Sequence, residues 1–383
     1  MDSQTRWTHG VAAPPIFEVI GHRPGRARRG RLHTPRGVVE TPAFMPVGTN
    51  ATVKALTPDE VSESGAQMIL CNAFHLYLRP GAEVVARAGG LHAFMGWPGP
   101  ILTDSGGYQV FSLAAMRTVD DGGVTFRSPF DGSVHRFTPE GVVDLQRVLG
   151  ADIQMPLDVC LGYPHEPAQA REALEQTLRW AARARDHHAR AGSGLLFGII
   201  QGGLDPELRV EAARRIAALD FVGYAVGGLS VGEPRDLTYA LLERAVVDLP
   251  PDRPRYLMGM GEPRSLLEGI ARGIDLFDCA LPTRVARTGT IFTASGRINI
   301  RNASYRDDLG PPDPACTCRV CARTTRAYLR HLFKTDEMLG PRLATYHNLF
   351  FVGRLLDGAR AALDDGRYDT WMAEMLRAYV TAW

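Results

Sequence analysis

The stretch Leu195-Leu196-Phe197-Gly198-Ile199-Ile200-Gln201-Gly202-Gly203 decides the fold. Its apolar run is too short for a helix and carries no alternation, so it reads as a strand buried on both faces. Asp205 to Leu219 then shows helical spacing through Leu208, Ala212, Ile216 and Leu219. The same unit returns twice. Gly223–Val226 with Gly227-Gly228 precedes a helix through Leu237, Leu241, Ala245 and Leu249. Tyr256-Leu257-Met258 with Gly259-Met260-Gly261 precedes one through Leu266, Leu267 and Ile270, and a last strand ends at Phe277-Asp278. Toward the N-terminus, Ala43–Val47 comes before Thr57-Pro58-Asp59-Glu60, a capping-box helix start. Gln67–Cys71, Ile101–Thr103 and Ile153–Asp158 are further strands. The total of about eight predicts an α/β fold of the (β/α)8 TIM-barrel class. A doubly wound open sheet is the alternative, but its phosphate fingerprint after the first strand is missing.

Residues 1–383 are expected to form one barrel domain, with an inserted metal-binding segment at about 282–349 and a helical segment at about 350–383. Residues 11–40 predict a β-hairpin closing the barrel floor, and residues 108–137 an inserted β element. The basic run from Arg23 to Arg31 reads as the solvated tip of that hairpin, with RNA binding as the other reading. Net charge is only +1, so binding to nucleic acid requires local basic patches rather than a global field. No segment has the length and apolarity of a membrane span or a secretory leader, which predicts a cytoplasmic protein with reduced thiols. Cys71 and Cys279 are expected as buried packing residues.

Cys316-x-Cys318-x2-Cys321 supplies three thiolates within six residues, the signature of a closed structural Zn2+ site, one per subunit. The fourth ligand is His347 or His331, with His347 preferred. Four protein ligands leave no open position, so this ion is assigned to folding and not to catalysis.

In a barrel, the residues following each strand line the active-site face. That rule gathers Thr103-Asp104-Ser105-Gly106-Gly107-Tyr108, Asp158-Val159-Cys160, Gln201-Gly202-Gly203, Gly227-Gly228-Leu229 and Met258-Gly259-Met260-Gly261 around Asp278. Each glycine pair alone is an ordinary turn; together they let backbone groups approach a flat, purine-like ligand. Asp278 has two local readings, a loop cap paired with Arg284 or Arg287 and a chemical group. With Asp104 and Asp158 in the same pocket, glycosyl chemistry becomes coherent. One carboxylate attacks an oxocarbenium-like carbon, one moves a proton, and one accepts hydrogen bonds from a guanine edge.

The ordered motifs Thr103-Asp-Ser-Gly-Gly-Tyr-Gln-Val-Phe-Ser, Gly202-Gly203, Gly227-Gly-Leu-Ser-Val-Gly-Glu, Met258-Gly-Met-Gly, Phe277-Asp-Cys-Ala-Leu-Pro-Thr-Arg and the Cys/His set resemble the tRNA-guanine transglycosylase family from about Phe17 to His347. The resemblance implies exchange of the wobble guanine of GUN-anticodon tRNAs (Asp, Asn, His, Tyr) for 7-aminomethyl-7-deazaguanine, a step toward queuosine. It implies Asp278 as nucleophile in a covalent intermediate and Asp104 as proton acceptor. Asp158, Gln201 and the Gly228 N–H read the base, Tyr108 and Met258 sandwich it, and Ser105, Gly106, Gly107, Cys160 and the Leu229 carbonyl complete the pocket. Cys160 and Val231 resemble bacterial members rather than those taking queuine.

The resemblance also implies that tRNA lies across Gly259, Met260, Gly261, Glu262, Pro263, Arg264 and Ser265 and across Thr283, Arg284, Val285, Ala286 and Arg287, and that the protein is a homodimer. Val285 and Thr288 stand where the family commonly has asparagine. Two rival readings are a metal-dependent barrel hydrolase, which lacks strand-end histidines here, and a noncatalytic tRNA-binding subunit, which should lack Asp278 or Asp104.

Overall fold

A computed structural model of the chain describes residues 15–20, 26–112, 117–191 and 193–379. Three strands, β1 (Phe17–Val19), β2 (Gly30–Thr34) and β3 (Gly37–Thr41), precede the first barrel strand β4 (Ala43–Pro46) and its helix α1 (Pro58–Glu63). Strand β5 (Ile69–Asn72) leads to α2 (Ala73–Leu78), α3 (Ala82–Arg87) and α4 (Leu91–Met95), and β6 (Ile101–Asp104) leads to α5 (Gly107–Ser112). The inserted sheet β7 (Arg117–Asp120), β8 (Gly123–Arg127) and β9 (Val134–Phe137) then feeds α6 (Pro139–Leu149) and β10 (Ile153–Gln154). Regular alternation follows through α7 (Pro167–Ala191), β11 (Leu195–Ile200), α8 (Pro206–Ala217), β12 (Gly223–Val226), α9 (Arg235–Val246), β13 (Arg255–Leu257), α10 (Pro263–Ala271) and β14 (Leu276–Cys279). After β14 come α11 (Leu281–Arg287), the hairpin β15 (Thr290–Thr293) and β16 (Gly296–Asn299), then α12 (Arg319–Arg323), α13 (Arg326–Lys334), α14 (Leu339–Asp364) and α15 (Tyr368–Ala378).

The eight-stranded parallel sheet runs β4-β14-β13-β12-β11-β10-β6-β5, and a parallel bridge between Val47 and Leu70 joins its two ends. This is the (β/α)8 barrel the strand–helix repeat predicts. Strand alternation then fixes the site. Leu70, Leu102, Ile199, Tyr256 and Leu276 belong to the barrel's inner cluster. Side chains two residues further along each strand point the same way, which brings Asn72, Asp104, Gln201, Met258 and Asp278 to the top layer.

The floor differs from expectation in two ways. Strands β1, β2 and β3 form a three-stranded antiparallel sheet rather than a hairpin, because Phe17–Val19 pairs with β2 on the side opposite β3. Phe17, Leu32 and Val39 from this sheet join the barrel's inner cluster, so it seals the floor. Part of the basic run also turns inward. Arg28 grips Asp275 with Nε and Nη2 and donates to the carbonyls of Pro251 and Arg253, while Arg29 pairs with Glu40. Residues 11–14 and 21–25 of the predicted hairpin lie outside the described residues.

The strand expected over Ile153–Asp158 is cut to Ile153–Gln154. Side chains take over the ladder from there: Gln146 accepts from the Met155 N–H at 2.9 Å and donates to the Met155 carbonyl at 2.8 Å. Thr177 Oγ1 accepts from the Val159 N–H at 3.0 Å. Side-chain partners satisfy these buried backbone groups and free the segment to bend Asp158 into the mouth. At the other end of the chain, α14 runs unbroken through the expected boundary at 349/350 and packs on α11, β15 and β4. No helix among the described residues is long and apolar enough to cross a membrane.

Candidate active site and metal centre

Asp278, next to last in β14, is only 9% exposed. Its Oδ1 accepts from the Tyr256 hydroxyl at 2.6 Å and from the Gly259 N–H at 2.8 Å. Asp104, on β6, is held by Asn72 Nδ2 and by the Ala73 N–H, the latter at 2.9 Å. Asp158 accepts from Gln201 Nε2 at 2.6 Å. Among the described residues none of the three forms an ion pair with an arginine, lysine or histidine. The loop-cap reading, with Asp278 bound to Arg284 or Arg287, therefore fails.

Burial without a counterion raises all three carboxylates. It pushes Asp104 up to about 6, against hydrogen bonds from Asn72, Ala73 and Gln109, with the Asp278 charge adding to the rise. Asp158 also reaches about 6 through burial, opposed by Gln201 and Ser105. Burial raises Asp278 as well, opposed by Tyr256 and Gly259. Near-neutral proton affinity is what proton transfer requires, and perturbed acids gathered in one cleft mark a functional site.

Two glycines are required by contact. A Cβ on Gly107 would lie 2.5 Å from Asp158 Oδ1, and one on Gly228, at φ +64°, would lie 2.3 Å from Gln201 Oε1. Larger residues would displace the two side chains expected to read the base. Ser105, Gly106 and Leu229 are buried around them, Cys160 is half-buried, Tyr108 is 63% exposed on α5, and Met258 is half-buried after β13. Burial pushes the Cys160 thiol up to about 12. Cys71 is buried as expected, but Cys279 is half-buried beside Asp278, and its thiol donates to the Gly259 carbonyl at 3.1 Å.

The two segments expected to meet RNA flank Asp278. Gly259, Arg264 and Arg284 are exposed, and Val285 and Arg287 are half-buried. Met260, Gly261, Glu262, Pro263, Ser265, Thr283 and Ala286 are buried. Glu262 caps α10 through the Ser265 N–H and pairs with Arg297, and Ser265 Oγ meets the Tyr239 hydroxyl at 3.2 Å. These buried residues shape the strip that presents the arginines.

Several supporting residues carry weak sequence signals or none. Asn72 and Tyr256 follow from strand alternation once the barrel register is known. Arg209 does not: from the first turn of α8 its buried guanidinium donates to the carbonyls of Gly203, Ile200, Gly227 and Gly228, tying two glycine turns together. Glu233 accepts from the Ser230 and Val231 N–H groups and from Thr238, fixing the next turn.

The candidate metal centre adjoins the hairpin β15–β16, where His347 meets Phe292. Ligand atoms of Cys316, Cys318, Cys321 and His347 all fall within 4.8 Å of one another, while His331 is exposed on α13 and outside the group. His347 Nδ1 is 3.4 Å from Cys318 Sγ and 3.2 Å from Cys321 Sγ, and its Nε2 donates to the Phe292 carbonyl at 2.7 Å. That bond fixes the ring and aims Nδ1 at the thiols, the outer-shell pattern of a metal-bound histidine. Asn348, next along α14, accepts from the Phe292 N–H and donates to the carbonyls of Pro282 and Thr290. The set fits a closed cation site that pins the insertion to a barrel helix.

The family model for queuine tRNA-ribosyltransferase matches residues 24–381. Among curated relatives, a queuine tRNA-ribosyltransferase of Desulforudis audaxviator is 56% identical over 367 residues, covering 96% of this chain and 99% of the relative. Another, of Desulforamulus reducens, is 54% identical over 354 residues, covering 92% and 95%. One of Moorella thermoacetica is 53% identical over 353 residues, covering 92% and 94%.

Proposed function

The chain belongs to the queuine tRNA-ribosyltransferase family, and on that premise we propose that it exchanges the wobble guanine of GUN-anticodon tRNAs for 7-aminomethyl-7-deazaguanine in queuosine biosynthesis. One observation carries the reading: three carboxylates, Asp158 and Asp278 buried and Asp104 half-buried, converge on a glycine-walled barrel mouth with no counterion among the described residues. A structural acid would be paired.

Asp278 attacks the anomeric carbon and displaces guanine, leaving the ribose on the enzyme as an ester. Asp104, whose proton affinity lies near neutrality, takes the proton of the incoming base, which attacks the same carbon so that configuration is retained. Asp158 and Gln201, locked to each other, accept and donate along the base edge together with the Gly228 N–H. Tyr108 and Met258 cover its two faces. Ser105, Gly106, Gly107 and Cys160 enclose it, and the Leu229 carbonyl receives the aminomethyl cation. Arg264, Arg284 and Arg287 hold the anticodon strand around the flipped nucleotide. The protein acts as a homodimer, with one Zn2+ per subunit on Cys316, Cys318, Cys321 and His347. Thiolates and imidazole in a closed tetrad suit zinc, which supplies folding energy to the insertion and takes no part in base exchange.

The deciding experiment incubates the protein with radiolabelled guanine and anticodon-variant tRNAs. Incorporation that requires guanine at the wobble position followed by uridine is expected; incorporation indifferent to the anticodon would reject the substrate. Competition between 7-aminomethyl-7-deazaguanine and queuine tests the base. Metal analysis and light scattering test the zinc and the dimer.

A further inference from the structure

One group beside the nucleophile has no part in the exchange as described. Tyr256 lies in β13 at 0% exposure, its ring in the inner barrel cluster one layer below the mouth. Its hydroxyl and the Gly259 N–H both donate to Asp278 Oδ1, and no protein group among the described residues donates to Oδ2. Gly259 reaches this position with φ +75°, and the Cys279 thiol holds its carbonyl. The two oxygens, equivalent in a free carboxylate, are made different here.

We infer that Tyr256, with the Gly259 N–H, is the positioning residue that fixes Oδ1 as the charge-bearing oxygen of Asp278 and presents Oδ2 to the ribose. This rests on Asp278 being the nucleophile. In the first half-reaction a lone pair of Oδ2 forms the bond to the anomeric carbon. The bond from that carbon to the guanine nitrogen breaks, its electron pair leaves with the nitrogen, and Asp104 supplies the proton. Oδ1 becomes the ester carbonyl oxygen and loses its charge. In the second half the incoming base gives its N–H proton to Asp104, and its nitrogen pair forms the new bond. The carbon–Oδ2 bond breaks and its pair returns to the carboxylate, so charge reappears at Oδ1 where two donors are already aimed. Preorganised donors of this kind assist the step in which charge develops. They hold back the step in which it is lost.

The test is Tyr256→Phe, which keeps the ring. The adduct is formed by mixing enzyme with tRNA, trapped by denaturant, and in parallel chased with radiolabelled guanine. Loss of one hydrogen bond to a charged group predicts adduct discharge slowed by about 10–100-fold, with adduct formation at alkaline pH undiminished. The adduct therefore accumulates. The acid limb of adduct formation also moves to higher pH, since Tyr256 lowers Asp278; the other titratable groups facing the pair, Asp104 and Cys279, are unchanged. A structural role would instead slow both halves alike or lower the melting temperature. Discharge at the wild-type rate, or equal slowing of both halves in a protein of unchanged melting temperature, overturns the inference. Should the variant fold poorly, 3-fluorotyrosine at position 256 keeps the shape and strengthens the donor. Faster discharge supports the inference and an unchanged rate overturns it. Absence of any adduct in the wild type would instead reject Asp278 as nucleophile.

Discussion

Asp275 directly precedes β14 and Asp278 lies near its far end, and their surroundings are opposite. Asp275, at the floor, is 0% exposed and gripped by Arg28 and by the Arg255 N–H. Asp278, at the mouth, has two neutral donors and, among the described residues, no cation. A charge at the floor is buried and compensated, so it specifies structure. At the mouth it is buried and left uncompensated, so its proton affinity rises and it becomes available for chemistry. Barrel folds separate these tasks by strand end, and here the separation is visible within four consecutive residues.

The contrast can be broken by experiment. Asp278→Ala is expected to lower guanine exchange on the order of 10^4-fold or more and to abolish the denaturant-resistant tRNA adduct, with no loss of thermal stability. Substantial exchange in that variant would place the nucleophile elsewhere. Asp275→Ala should do the reverse. Leaving Arg28 without its buried partner costs about 3–5 kcal/mol of stability, read by urea denaturation, while kcat of the folded fraction stays at the wild-type value. A stable but inactive Asp275→Ala would show that the floor is not merely structural.

Gly228→Ala tests the walls of the mouth. An alanine in the left-handed region costs about 1–2 kcal/mol and pushes on Gln201, so KM for the base should rise about tenfold with little change in kcat. The smallest effect concerns pH. Asp104 is raised from 3.8 to about 6 when folded, so the stability it contributes is complete below 3.8 and lost as pH rises through about 6. Asp104→Asn should therefore melt a few degrees above wild type at neutral pH, with the gap closing in acid. A constant gap across the pH range would contradict a raised Asp104.

Much of this was legible in the chain. Continuous apolar strands ending in glycine imply a covered parallel sheet, and eight of them imply closure. Three cysteines within six residues imply a metal, although only the fold separates His347, inside the tetrad, from exposed His331. The short β10 was not legible, because its ladder is replaced by Gln146 and Thr177, polar residues inside helices with no strand signal. Nor was Arg209, whose partners are carbonyls from two separate turns.

By itself the sequence determined the elements, the strand-end acids and the cysteine ligands, since these follow from local periodicity and from spacing along the backbone. Only the tertiary structure decided that Asp275 would find Arg28 while Asp278 found Tyr256 and Gly259. Charge compensation depends on what packs against a carboxylate in space. Barrel closure brings a partner from 247 residues away to one end of β14 and withholds any cation from the other.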